Sequence, residues 1–180
     1  MTRFEDFDFE IRWLWMACDQ NGRVAIMHSL GDGAVLRGLS LSKSNAEWLR
    51  DWILDELIPK NKGACKSALC LANSNRIYGV SPGTELADTI EEDRQSILAE
   101  SSCGVFVYEA SLGNTFPVGY HRRGIPMNPI LLSDLPEKPL AIAEKCCFHT
   151  LSFSRKTEIR LEDFGIQSGG RHYPEQYETD

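Results

Sequence analysis

The sequence predicts an α+β fold, a mainly antiparallel sheet with two main helices packed on it. Three observations carry this reading. Residues 11–29 alternate apolar side chains on either side of an Asp-Gln-Asn-Gly turn. Residues 44–58 and 85–101 place apolar side chains at helical spacing. No βαβ unit repeats along the chain, which argues against a doubly wound parallel sheet.

The first strand is expected over 11–18, with Ile11, Trp13, Trp15 and Ala17 on one face and Leu14, Met16 and Cys18 on the other. Two apolar faces imply a strand buried on both sides and central in its sheet. Asn21-Gly22 suits the tight turn that follows, and Arg23 to Ser29 returns as the partner strand. Gly31-Asp32-Gly33 then forms a loop. Ser42 or Ser44 caps a helix that runs to Ile58, where Pro59 stops it. Trp48, Leu49, Trp52, Ile53 and Leu57 make its apolar stripe, with both tryptophans as core anchors.

Residues 64–72 are apolar but too short to decide between strand and helix. Asn73 to Arg76 and Ser81-Pro82-Gly83 read as turns. Thr84 caps a second helix over 85–101, with Leu86, Ile90, Ile97 and Leu98 inward. Residues 104–110 are strongly β-prone, Leu112-Gly113-Asn114 turns, and 118–125 is the hairpin partner. Pro126, Pro129, Pro136 and Pro139 mark an extended strap that packs along the body. A last strand is expected over 147–153, then a short strand or turn over 158–164. One α+β domain spans 1–168, and 169–180 is a polar tail.

The chain has 180 residues, enough to bury about 70% of its unfolded surface without metal or disulfide support. It carries 42% hydrophobic and 25% charged residues, a globular composition. No apolar run approaches the roughly 20 residues of a membrane span. The first residues are acidic where a signal peptide is basic and then apolar, so a cytoplasmic location is expected. A net charge of −7 disfavours nucleic acid as a partner and favours a basic one. The acids cluster as Glu5, Asp6, Asp8 and Glu10, as Asp51, Asp55 and Glu56, and as Glu91, Glu92 and Asp93.

With no export signal read, the six cysteines are expected to be buried free thiols. Cys146, Cys147 and His149 lack the paired C-x-x-C spacing of structural zinc modules. Asp19 to Leu30 does not complete a calcium loop, having Val24 and Leu30 at the positions that need Gly and Glu. Gly31-Asp32-Gly33 lacks the third glycine of a dinucleotide loop, and Walker, Gly-x-Ser-x-Gly and His-Glu-x-x-His motifs are absent. No metal, cofactor or catalytic residue is therefore assigned. The alternating Phe4-Glu5-Asp6-Phe7-Asp8-Phe9-Glu10 segment suits either an edge strand or a partner-binding segment.

Two blocks carry a resemblance. Trp15-Met16-Ala17-Cys18-Asp19-Gln20-Asn21-Gly22-Arg23-Val24-Ala25 runs on to Ser29-Leu30-Gly31-Asp32-Gly33. Tyr120-His121-Arg122 is followed by Pro126-Met127-Asn128-Pro129 and Asp134-Leu135-Pro136. This pattern resembles small bacterial proteins that look like immunity proteins of polymorphic or contact-dependent toxin systems. The chain departs from it at Ile130, where Leu is usual, and at Ala34-Val35-Leu36, where a proline is expected.

The resemblance implies a non-enzymatic cytoplasmic protein that neutralises a cognate toxin by occlusion in bacterial competition. The toxin is expected to be basic, and no nucleic acid, membrane or cofactor is required. Homo-oligomerisation stays open. The expected partner-binding residues are Asp6, Asp8 and Glu10, with Asp32 as the loop alternative. The competing expectation is a small enzyme or ligand-binding domain assembled from distant residues, with His28, His121 and Cys18 as first suspects.

Overall fold

A computed structural model describes residues 14–29, 43–70, 85–110 and 119–164. The strands are β1 (Leu14–Asp19), β2 (Val24–His28), β3 (Ser67–Leu69), β4 (Phe106–Ala110), β5 (Tyr120–Pro126), β6 (Cys147–Phe148) and β7 (Glu158–Ile159). The α-helices are α1 (Lys43–Trp52), α2 (Ile58–Asn61), α3 (Glu85–Ser101) and α4 (Glu137–Ala143). The fold class is α+β, and the sheet is mixed, in the order β3-β5-β4-β2-β1-β6. Four of its six strand pairings are antiparallel; β2–β4 and β1–β6 are parallel. Helices α1, α2 and α3 fall between β2 and β4 in the chain, where a parallel pair needs a long crossover rather than a tight turn.

The first hairpin pairs Leu14 with His28 through Cys18 with Val24. Every residue of β1 is buried. Trp15 and Ala17 join one apolar cluster, Leu14 and Met16 the other. Gly22 supplies the positive φ of 73° that closes the turn. The Asp19 carboxylate accepts hydrogen bonds from the amides of Asn21, Arg23 and Phe153 at 2.8, 3.0 and 2.8 Å. One buried side chain thus fixes the turn and ties it to a segment more than a hundred residues away. Ile11 and Trp13, the Gly31 loop, the turns at 73–76, 81–83 and 112–114, the caps at Ser42 and Thr84, and the tail lie outside the described residues.

The sheet separates two cores. On one face Leu49, Ile53 and Leu57 pack on Met16, Val24, Ile26 and Val105. On the other, residues 146–164 lay Phe148, Leu151, Phe153, Ile159 and Phe164 over Trp15, Phe106, Tyr108 and Tyr120. Burying aromatic rings on that second face lets a segment with little regular structure serve as a layer. It is tied down by Tyr108 Oη donating to the Lys156 carbonyl at 2.6 Å and by Arg122 Nη1 donating to the Phe153 carbonyl at 2.7 Å.

Several expectations need correction. Pro59 does not end the first helix. A π turn over Ile53–Leu57, in which the Ile58 amide donates to Ile53 O, hands the chain to α2, which carries Pro59 in its first turn. The missing proline N–H is an orphan position there, so the ring is tolerated. Ser44 lies within α1. Trp48 and Trp52 pack against the core from its edge and stay half-buried: they stack at 6.4 Å, with Lys138 Nζ over the Trp48 ring. Residues 64–72 contain strand β3. The proline strap is broken by a 3-10 turn at Leu132–Asp134 and by α4, for which Pro136 is the N-cap residue. The last strand shrinks to Cys147–Phe148, because the following residues turn to cover the sheet face.

The cysteines also depart from expectation. Cys18 and Cys147, aligned neighbours on β1 and β6, form a disulfide. Cys65, Cys70, Cys103 and Cys146 remain free. The bond closes a separation of 129 residues, so chain-entropy arguments give it about 5 kcal/mol of stabilisation. Urea unfolding with and without a dithiol reductant should show a loss of up to about 5 kcal/mol, matched by Cys18→Ser. Thiol titration of unreduced, denatured protein should find the four free cysteines.

Candidate functional site

Ionisable side chains gather between the sheet and α3. His28 ends β2, and Glu109 stands beside it in register on β4. His121 on β5 is in turn the register partner of Glu109. Arg123 reaches the same face through a β-bulge. Val107 pairs with Gly124 and Tyr108 with Arg122, so Arg123 is left without an opposing residue. Gly124 lets α3 come close, since a Cβ there would meet Ser101 Cβ at 2.9 Å. From α3, Asp93 and Glu100 descend two turns apart.

The contacts form one network. Arg123 pairs with Asp93 at 2.8 Å and with Glu109. His28 Nε2 meets Glu100 Oε2 at 2.8 Å, and His121 Nε2 lies 3.8 Å from Glu109 Oε2. The Glu100 side chain is 3% exposed, whereas those of His28 and Asp93 are each 28% exposed, so solvent reaches the network at these two residues. Burial opposes a charge on His28, but the charge of Glu100, its hydrogen bond and the more distant Asp93 outweigh burial and Arg123, raising the pKa. Burial lowers the pKa of His121, with Glu158 opposing. Asp93 and Glu109 face one guanidinium here and Glu100 faces His28, so a proton on His28 relieves an excess of negative charge.

Two histidines expected to mark a site, His28 and His121, are thus brought into one cluster. Cys18 is not with them, being bonded to Cys147. Asp6, Asp8, Glu10 and Asp32 lie outside the described residues. Arg123, Glu109, Asp93 and Glu100 were not singled out as site residues by sequence reasoning. Gly124 inside a β-prone run was the available signal, since it marks a bulge. The cluster holds a carboxylate-oriented imidazole able to exchange a proton. The thiol of Cys103, near Glu100, is a poor nucleophile, because burial first and then the charge of Glu100 push it up to about 11. Among the described residues no group of three His, Cys, Asp or Glu side chains is arranged to hold a metal ion.

Two surface features complete the picture. The outer side of α1 and the π turn exposes Glu47, Asp51, Asp55 and Glu56 around Leu54, and α3 exposes Glu91 and Glu92. Some are matched locally, Asp51 by Arg50 at 2.9 Å, Glu56 by Lys60 and Glu91 by Arg94 at 3.8 Å. A polar groove runs over 155–163, where Lys156 pairs with Asp163 at 3.2 Å and Arg160 with Glu158 at 3.4 Å. No described helix is long and apolar enough to cross a membrane.

Compared with known protein families, with curated proteins and with solved structures, the chain matches none. Replacing Arg123 by Met should cost about 3–5 kcal/mol in urea unfolding, because it strands Asp93 and buried Glu109 without their cation.

Proposed function

We propose that this protein is a non-enzymatic binding protein of the immunity type, which neutralises a basic toxin by covering its active surface. The observation that carries the reading is the acidic outer side of α1 and the π turn, where Glu47, Asp51, Asp55 and Glu56 surround exposed Leu54. The net charge of −7 acts in the same direction. Arg50 and Lys60 match Asp51 and Glu56, and the net negative charge that Glu47 and Asp55 leave raises the encounter rate with a basic partner and helps fix its register. Leu54 offers an apolar contact inside a polar rim, the arrangement found at the centre of many interfaces. The likeness of the Trp15–Gly33 and Tyr120–Pro136 blocks to immunity proteins supplies the biological setting, a cytoplasmic partner of a toxin in bacterial competition.

A second reading rests on a different observation. His28 and His121 share one buried network with Glu100, Glu109 and Arg123, as a ligand-binding or acid–base site would require. Its network is already internally paired, so it is the weaker of the two.

The test is co-expression with the protein encoded by the neighbouring gene, followed by stopped-flow and calorimetric binding. A one-to-one complex is expected. Reversing Glu47, Asp51, Asp55 and Glu56 to Lys should slow association about tenfold or more at low salt and flatten its salt dependence. An unchanged association rate would remove this face from the proposal. Absence of any complex would overturn the toxin-inhibitor reading and favour a ligand site at His28.

A further inference from the structure

Helix α3 docks on the sheet in an unusual way. Neither apolar cluster contains any of its described residues, although one of those clusters fills the same sheet face under α1. Its buried described residues are Ile97, Glu100 and Ser101, with Asp93, Leu98 and Ala99 half-buried. The helix touches the sheet at Gly124 and reaches β3 through Ser67 Oγ, which donates to the Leu98 carbonyl at 3.3 Å. Its two strong side-chain anchors are ionic: Asp93 on Arg123 and Glu100 on His28, both at 2.8 Å.

One of those anchors titrates where solvent can reach it. The groups facing His28 are Glu100 and Asp93 from α3, Glu109 from β4 and Arg123 from β5, while β1 places apolar Leu14 opposite it. With His28 protonated, Glu100 faces a cation. Without that proton, Glu100 remains buried with only a neutral hydrogen-bond partner, while Arg123 is engaged by Asp93 and Glu109. The low-dielectric setting makes that loss expensive.

We propose that α3 is a proton-controlled element, held on the sheet while His28 carries a proton and loosened when the proton leaves. The rest of the sheet is held by apolar cores on both faces, so the response is local to α3. The sign follows from the raised pKa of His28: the latch is at full strength below its ordinary 6.5 and is lost as pH climbs through the higher folded value. His121 acts oppositely, since its lowered pKa means that its contribution is lost on acidification. Because α3 exposes Glu91 and Glu92, the proton on His28 also governs how firmly that part of the acidic surface is held. This last consequence rests on the proposed binding function; the latch itself does not.

Hydrogen–deuterium exchange of the isolated protein at about pH 6, 7.5 and 9 tests the latch, read as protection factors so that the intrinsic pH dependence divides out. Amides of residues 91–101 should lose about tenfold or more protection between the lowest and highest pH, with β1 and β2 changing less than about twofold. Glu100→Gln should flatten the α3 response. Unchanged α3 protection would overturn the proposal, as would a fall shared equally by β1 and β2. The wild-type series decides this even if the variant does not fold. Because no partner is present, failure here is separable from failure of the toxin-inhibitor reading.

Discussion

Arg123 is the cation on which one helix and the neighbouring strands depend. It is almost wholly buried, placed by a bulge in β5, and held between Asp93 of α3 and Glu109 of β4. A guanidinium in such a site requires carboxylates around it, and the carboxylates require the guanidinium. That mutual demand fixes the register of β5 against β4 and the height of α3 above both. It also creates the surplus of negative charge that His28 answers. A smaller or uncharged residue at the bulge would remove one of the two ionic contacts between α3 and the sheet shown among the described residues.

The other face follows different physics. Aromatic packing dominates there, with Phe148 near Phe153 and Phe164, and Tyr108 near Phe153. The segment that supplies these rings has few backbone ladder bonds, so it needs fixed points. Asp19 provides one by accepting the Phe153 amide, the Cys18–Cys147 bond another, and the short β7 pairing with β5 a third. The first hairpin is therefore the hub of that layer as well as a strand pair.

The first hairpin and α3 are legible in the sequence because local patterns dictate them: period-two alternation in one, helical spacing in the other. The α+β class follows from their order. What stays hidden depends on distant partners. The parallel pairing of β2 with β4 joins strands that helices separate in the chain, and the Cys18–Cys147 bond follows strand order, neither of which spacing reveals. Pro59 reads as a stop, but a π turn before it accommodates the ring. Pro139 reads as part of an extended strap, yet it sits in the first turn of α4, where proline is tolerated. At the candidate site the histidines stand out by residue type. Their partners do not, since Asp93, Glu100 and Glu109 look like ordinary acids until the fold buries them.

The proposed binding face and the docking of α3 meet on the helical side of the sheet. Its outer surface carries exposed acids suited to a basic partner, and beneath α3 lies a network that gains from a proton. Both features express the same excess of carboxylates, exposed in one case and buried in the other. The buried part is the more demanding physically, and His28 reports on it directly. Titrating the histidine rings by NMR, with His28 assigned through His28→Gln, measures whether the network holds a proton there. The account predicts a His28 midpoint above 6.5 and a His121 midpoint below it. A His28 midpoint at or below 6.5 would contradict the claim that ionic contacts under α3 bind that proton and hold the helix in place.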